Sequence, residues 1–550
     1  MMKQTLRTNF TVPLLLFALL PCVALGQPFF ENVRETIDGR ERSVQVATFE
    51  VTPAAPPEPA LRYKLTWGYD QRTATNAAIH YNFAAKELTE YNLNRFRGLA
   101  SDQQRAFDSV LEDPEIYAEK KAAWEAFEQE LAALTDDSPR SAEQLRHEKS
   151  LDYQVYEYSY YCSFPRDKFP MEKAKEFVRG FQNAYRHLEL GSRCDYCDWQ
   201  HPIRGNENPI AILLPEIQEA RNLARALLVK ARVEIYEGDY DAAIKTIRVG
   251  KYLAKHVASE PILVSVLVGI AIDGIMNAAF AELMRQPDAP NLYWTLSAQP
   301  SLTGAMGNAM EMEMDMLRAM LPGLAKAMDS PDELSDADWK KLNDRTTEII
   351  PWLTDFSNNI ERNLSVEAMI RLTNLVSYPR AKQWLIDQGK TPEEVESMFS
   401  VKVTWLWSIE RYKVLRDGML KLVMLPPSQR KVRLEEWELK LREHQNNYRA
   451  ATPLDMSVSS FFPAMQAAFN AEARNEMNTD ALRIVEAIRL YAAENDGKLP
   501  EKLDDIVSVP IPNVDPFTGK PYDYKIQDDA AVIEVNLGYG FQRFVVRIRK

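Results

Sequence analysis

Glycine is scarce, at 20 in 550 residues. Phosphate-cradling loops need several glycines close together, and the chain has no such loop. Gly389-Lys390-Thr391 ends like one, but Trp384 stands where its first glycine belongs. Histidine is scarcer still, at six: His80, His147, His187, His201, His256 and His444. His147-Glu148 lacks the second histidine of a zinc-protease helix, and no Gly-x-Ser-x-Gly nucleophile elbow occurs. Of four cysteines only Cys162, Cys194 and Cys197 lie beyond residue 26, too few for a disulfide-dense scaffold. A basic excess is also lacking. Lys and Arg number 66 against 79 Asp and Glu, a formal charge of −13. Such a chain has no electrostatic attraction for nucleic acid, and its one basic run is Arg547-Ile548-Arg549-Lys550. Finally, the apolar run Ile262 to Ile272 is broken by Asp273 and Asn277. That is short of the roughly 18 residues a membrane span needs, so it reads as a core helix. No catalytic, cofactor-binding or metal-ligating set is predicted, and no cofactor.

The N-terminus reads as a secretory leader. Lys3 and Arg7 form a basic start, Val12 to Leu20 an apolar core, and Ala24-Leu25-Gly26 a small-residue cleavage site. Residues 1–26 would be removed, making the mature chain two charges more negative and exporting it to the periplasm, envelope or medium. No transmembrane segment is expected in the mature chain. Residues 27–60 read as an extended arm. Ser43 to Val51 alternates weakly like a strand, and Thr52 to Pro59 is a proline-rich linker.

Helical periodicity dominates from residue 61 to 460 and is clearest between Pro215 and Leu296. Leu223, Leu227, Ala231 and Ile235 recur at a spacing of four. Gly238 stops that helix, Asp239 is placed to cap the next, and Ser259-Glu260-Pro261 reads as the cap of a third. Gly250 and Ala254 offer room for a close helix crossing. Further helices are predicted over 101–111, 114–134 (Trp124, Phe127 and Leu131 on one face), 345–376, 392–423 and 430–450, with Ser335 capping one through Trp339. Trp384, Trp405, Trp407 and Trp437 are candidate packing anchors. Met306, Met310, Met312, Met314, Met316 and Met320 crowd one helix as a soft metal-binding row or as gap-filling core, the latter favoured. Tyr153, Tyr156, Tyr158, Tyr160 and Tyr161 read as a helix interface or a stacking platform.

Periodicity fades over Ala451 to Phe462, where a domain boundary is placed. A small α+β module is predicted over 476–550. It has a helix from Asn478 to Asn495 capped by Asn478 or Thr479, a short helix at 499–506, and strands at 522–526, 531–535 and 541–548. Asp528-Asp529 forms a turn. Asp515 and Asp523 are nearby oxygen donors, with Asp515 favoured as the cap of its own turn.

One constellation stands out, Cys194-Asp195-Tyr196-Cys197-Asp198-Trp199-Gln200-His201. Cys194 and Cys197 form a candidate disulfide. Free structural thiols, a redox pair and a metal site completed by His201 and His187 are the alternatives.

Three resemblances follow. Glu237-Gly238-Asp239-Tyr240-Asp241-Ala242-Ala243 resembles the hairpin of a tetratricopeptide repeat, in a single copy, where arrays need about three. Tyr491 to Pro500, with Asp515-Pro516-Phe517 to Pro521-Tyr522, resembles the globular half of type II secretion major pseudopilins, without their apolar N-terminal helix. Asn76-Ala77-Ala78, Tyr81, Cys197-Asp198-Trp199, the Arg-rich helix at 221–232 and Pro290 to Trp294 resemble an exported planctomycete family. That likeness implies compartment and architecture and no activity. The expectation is a mainly α protein, with a large multi-helix domain carrying one repeat-like hairpin and the small C-terminal module. It is expected to serve as a non-enzymatic exported scaffold binding protein or peptide. A hydrolase or glycan-active enzyme on a helical frame is the alternative.

Overall fold

The structure, a computed structural model, describes residues 30–37, 39–97, 161–162, 164–201, 215–302, 304–354, 366–446, 453–537 and 540–549. Strands β1 (Glu31–Ile37) and β2 (Arg40–Val51) come first. Strand β3 (Thr73–Asn76) leads into α1 (Ala77–Arg97), and α2 (Met171–Gly180) and α3 (Gln182–Ser192) lead into β4 (Cys194–Tyr196). Then come α4 (Pro215–Glu237), α5 (Tyr240–Ala258), α6 (Leu263–Met284) and α7 (Tyr293–Ser297). Next are α8 (Ala305–Met320), α9 (Leu324–Asp329), α10 (Asp336–Thr354), α11 (Val366–Asp387) and α12 (Pro392–Ser397). The last helices are α13 (Ser400–Val423), α14 (Pro427–Asn446) and α15 (Pro453–Glu494), followed by strands β5 (Asp523–Gln527), β6 (Ala530–Asn536) and β7 (Phe541–Ile548). The fold is mainly helical, as expected. The leader, the helices at 101–134 and Tyr153 to Tyr160 lie outside the described residues.

The chain forms two compact units. A sheet unit takes Met1–Thr66, Cys197–Leu214 and Ala254–Lys550, and a hairpin unit takes Trp67–Tyr196 and Pro215–Leu253.

In the sheet unit five strands run in the order β1-β2-β7-β6-β5. The β2–β7 pair is parallel, with Ala47 opposite Phe544 and Phe49 opposite Val546, and the other pairs are antiparallel. Ala47, Phe49, Val51, Ile533, Val535, Phe544 and Val546 are all buried. The N-terminal arm of the sequence reading is therefore corrected: its strand is a central member of the sheet. Alternation gave the strand, but a pairing partner nearly 500 residues away leaves no local mark. Asp528 and Asp529 both take positive φ, 50° and 56°, the geometry of a two-residue hairpin turn between β5 and β6. On the strands' other face Arg543 holds Glu35 bidentately at 2.8 and 2.9 Å and also binds Glu534, which keeps the Glu35 carboxyl below its ordinary range.

The boundary placed between 460 and 476 falls inside α15, which runs unbroken for 42 residues. Asn478 and Thr479, predicted as caps, lie buried in mid-helix. Asn478 Oδ1 accepts from Gln542 Nε2 at 2.7 Å, and Thr479 Oγ1 accepts from Asn277 Nδ2 at 3.3 Å. Asp273, one turn before Asn277, accepts from Asn475 at 3.0 Å. The two polar residues that break the α6 apolar run thus form its seam with α15. Helix α6 is long and apolar enough to cross a membrane, but 89% of its most apolar window is buried within the protein.

A clamp joins three distant segments of the sheet unit. Arg489 on α15 is fully buried, and its Nη1 donates to both Glu486 carboxylate oxygens at 2.9 and 3.1 Å. Its Nε donates to Thr52 O and its Nη2 to Ala289 O. Asn291 Nδ2 donates to Ala54 O and Glu486 O. The Pro290-Asn291-Leu292-Tyr293 stretch is therefore the hinge on which the N-terminal strands and the C-terminal helix are fastened.

The predicted start of α6 is also corrected. Glu260 and Ser259 do not cap it. Leu263 N–H donates instead to Glu313 Oε1 of α8 at 3.1 Å, and burial pushes that carboxyl up to about 7. Within the sheet unit Gly269 packs closely on the Ala254–Ala258 segment, since a Cβ there would lie 2.6 Å from the Ala258 methyl. Met306, Met310, Met314 and Met320 fill one core with Trp339, Trp405, Tyr412 and Trp437. Ser335 caps α10 as expected, its Oγ accepting from Asp338 N and donating to the Asp338 carboxylate. The predicted helix at 499–506 shrinks to one 3-10 turn, Leu503–Asp505.

The hairpin unit keeps the predicted local grammar. Gly238 takes φ +79°, and Asp239 Oδ1 accepts from Ala242 N at 3.0 Å to cap α5. Between α4 and α5, Glu234 receives Lys230 Nζ at 2.5 Å and Thr246 Oγ1 at 2.7 Å. Arg232 donates to the carbonyls of Tyr161, Cys162 and Phe164. The Arg193 and Arg248 guanidinium groups lie over the Trp67 ring, 4.7 and 4.6 Å away, and its Nε1 donates to Ser192 Oγ.

Candidate binding face on the α1–α3 pair

Helix α1 buries Ala77, Ala78, Tyr81, Ala84 and Leu88, a stripe at spacings of three and four. Its partner α3 buries Ala184, Tyr185, Leu188 and Gly191. The two helices run antiparallel. Tyr81 lies against Gly191, Phe83 against His187, and Tyr91 against Gly180 just before α3. Gly191 is required by this packing, because a Cβ would come within 2.6 Å of the Tyr81 ring.

The outward sides of the pair are apolar where solvent-facing residues are ordinarily polar. Ile79 is 56% exposed, Phe83 51% and Leu190 47%. At the strand end, Tyr196 of β4 is 52% exposed and sits opposite Asn76 of β3, while Tyr69, just before β3, is 93% exposed. Phe83 stacks on His187 at 5.4 Å, and His80 lies 6.3 Å from that imidazole. Burial, and then the neighbouring His187, hold the His80 pKa below its ordinary value. Arg72 and Asp195 pair between the β3 and β4 ends at 2.5 Å. Beneath the face Glu189 is fixed by Lys245 and Arg193. Burial pushes its carboxyl up, but the two cations outweigh burial and leave it below the usual range.

Cys194 and Cys197, the candidate disulfide, are both free thiols in the structure, as is Cys162. Strand β4 turns Cys194 toward β3, where its sulfur lies 3.2 Å from Thr75 Oγ1 and 3.5 Å from Leu190 O. Burial pushes the Cys162 thiol up to about 12, so it is protonated at neutral pH. His187, a candidate fourth metal ligand, stands against Phe83, and His201 pairs with Glu260 at 3.3 Å. Among the described residues no three His, Cys, Asp or Glu side chains converge as a metal site. Asp515 caps its own turn, accepting from Phe517 N and Thr518 Oγ1.

A separate carboxylate row lies on α15 of the sheet unit. Burial, and then the charges of Asp480 and Glu472, push Glu476 up to about 7, although its side chain reaches solvent. Burial pushes Asp480 up to about 6 against the pull of Arg483 and the Tyr522 hydroxyl, which donates to it at 3.3 Å.

The exposed face was missed in the sequence because Ile79 and Phe83, at a spacing of four, match a core stripe. Only the competing Ala77-Tyr81-Ala84-Leu88 stripe on the same helix signalled that two apolar faces were present. No protein-family model, no curated protein and no solved structure matches this chain.

Proposed function

We propose that this chain is a non-enzymatic, exported helical scaffold that binds a protein or peptide through the α1–α3 face. The observation that carries this reading is the set of three large apolar side chains on the paired helices, Ile79, Phe83 and Leu190, each about half exposed. Contiguous exposed apolar surface marks interaction sites, and aromatic residues dominate their energetics. The test is co-purification from the native envelope with the mature chain and with an Ile79→Asp/Phe83→Asp variant, folding being checked by circular dichroism. A partner retained by the native chain and lost by the variant supports the reading; a partner retained equally by both removes it.

The α15 row favours a second reading, acid–base hydrolysis, because carboxyls poised near neutrality suit general acid catalysis. A Glu476→Gln variant separates the two. Unchanged partner binding is expected from the scaffold, and loss of a hydrolytic activity from the enzyme.

A further inference from the structure

The α1–α3 face is chemically graded, and the gradient has the same sense on both sides. Moving from the strand end along α1, the outward residues are Ile79, Phe83, Lys86 and Glu90. Moving the same way along the antiparallel partner, they are Leu190, Arg186, Asn183 and Gln182 on α3, then Arg179 and Glu176 on α2. Phe181, with φ −78° and ψ −7°, is the turn residue that ends α2 and opens α3. Apolar residues therefore give way to a collar of Lys86 and Arg186 about 6–10 Å along the helices, at 1.5 Å per residue, with Arg179 further on, beyond the Phe181 turn. Lys86 reaches Glu90 only at 3.8 Å, with both side chains exposed. Among the described residues Arg179 and Arg186 have no ion pair, in a chain whose formal charge is −13. Elsewhere in the same unit Arg72, Lys175, Arg193, Lys230 and Lys245 are all paired with carboxylates.

Resting on the binding-face reading, we infer that the partner element is an acidic amphipathic segment of another protein. Its apolar side chains would seat on Ile79, Phe83 and Leu190, and its carboxylates would lie over Lys86, Arg186 and Arg179. Two packed antiparallel helices offer a groove into which a third helix fits by its apolar stripe. Unpaired guanidinium groups beside such a groove select acidic over basic segments, because an unlike-charge rim speeds and orients docking while a like-charge rim opposes it. A membrane fits less well. The apolar side chains Ile79, Phe83 and Leu190 flank a cleft between two helices, which one segment's apolar stripe fills and a planar lipid surface does not.

Labelled helical peptides of about 18 residues, long enough to cover about 27 Å of the face, test this by fluorescence anisotropy with the full mature chain. All share one leucine stripe and differ in carrying a glutamate, glutamine or lysine tail. The glutamate peptide is expected to bind about tenfold tighter than the lysine peptide, a difference of about 1.4 kcal/mol. That preference should collapse in the Arg179→Glu/Arg186→Glu variant and shrink as salt rises. Both positions are exposed, so the variant is expected to keep the native circular dichroism spectrum. Equal binding of the glutamate and lysine peptides overturns the acidic partner while leaving the binding face intact. Absence of glutamate-peptide binding overturns it as well. So does a self-association in sedimentation that Phe83→Asp abolishes, which would make a second copy the occupant. Charge-dependent binding to phosphatidylglycerol vesicles without peptide preference assigns the collar to lipid and overturns it too.

Discussion

The two units differ in the reach of the polar ties that hold them together. The sheet unit buries charge and amide groups to fasten segments that are far apart in sequence: Arg489 to Thr52 and Ala289, Asn291 to Ala54 and Glu486, Asp273 to Asn475. In the hairpin unit the α4–α5 pair is set by neighbours close in sequence, Asp239 to Ala242, Lys230 to Glu234 and Glu234 to Thr246, its longer ties, Arg232 to Tyr161 O and Trp67 to Ser192, span 71 and 125 residues, and an apolar surface is left uncovered. Buried polar networks fix one arrangement of distant parts but are costly when broken. Local caps and i,i+4 pairs are individually weak and replaceable. The difference teaches where sensitivity should lie: substitution in the sheet unit's clamp should unfold it, whereas substitution on the hairpin unit's face should cost binding.

The largest expected effect is therefore at Arg489. Arg489→Leu strands Glu486 and the Thr52, Ala289 and Pro290 carbonyls in the interior, and removal of one partner from a buried pair costs about 3–5 kcal/mol. Urea unfolding followed by tryptophan fluorescence should show that loss, and a midpoint within error of the native chain would break the contrast. Next, Gly191→Ala should destabilise the hairpin unit by about 1–3 kcal/mol through overpacking against the buried Tyr81 ring. That exceeds the roughly 1 kcal/mol that alanine gains over glycine in a helix, and a stabilised variant in thermal melts would refute the close approach. Asp239→Ala should cost about 1 kcal/mol, a lost cap and no more.

The response to pH should differ in sign between the units. Asp480 and Glu476 have folded pKa values near 6 and 7, raised above ordinary values of 3.8 and 4.5. Their contribution to stability is full below about pH 4 and is lost as pH rises through 6 and 7. His80 is lowered from 6.5, so its contribution is present above that value and lost as pH falls through its folded pKa. Hydrogen exchange between pH 5 and pH 8, on scales corrected for intrinsic rates, should slow along α15 and quicken along α1 as the solution is acidified. Asp480→Asn and His80→Asn should each flatten their own trend only. Thiol counting on the denatured, non-reduced chain from residue 27 onward gives three free thiols for the structure described and one for a Cys194–Cys197 bridge.

The same contrast explains what the sequence could reveal. Helix α4, Gly238, Asp239 and helix α5 were readable because each signal lies within a few residues of its effect. The β5–β6 hairpin was readable for the same reason, through Asp528-Asp529. The role of residues 31–51 was not, because parallel pairing with β7 is decided by contacts across nearly the whole chain. Asp273 and Asn277 were visible as interruptions of an apolar run, but their partners on α15 were not. The fading pattern near 451–476 suggested a boundary, whereas a helix whose partners change along its length also loses a single stripe. At the candidate site, Cys194 drew notice through its spacing, and the exposed Phe83 drew none, since a helix with two apolar faces reads like a buried one.

The central claim is that the α1–α3 face is a protein-binding surface, and site-specific photo-crosslinking tests it most directly. A benzophenone amino acid placed at Phe83 is compared, in native cells, with the same group at Val507, a lone hydrophobe 88% exposed on the other unit. The account predicts a discrete protein adduct from position 83 and none from position 507. No adduct at 83, or the same adducts from both positions, would contradict it.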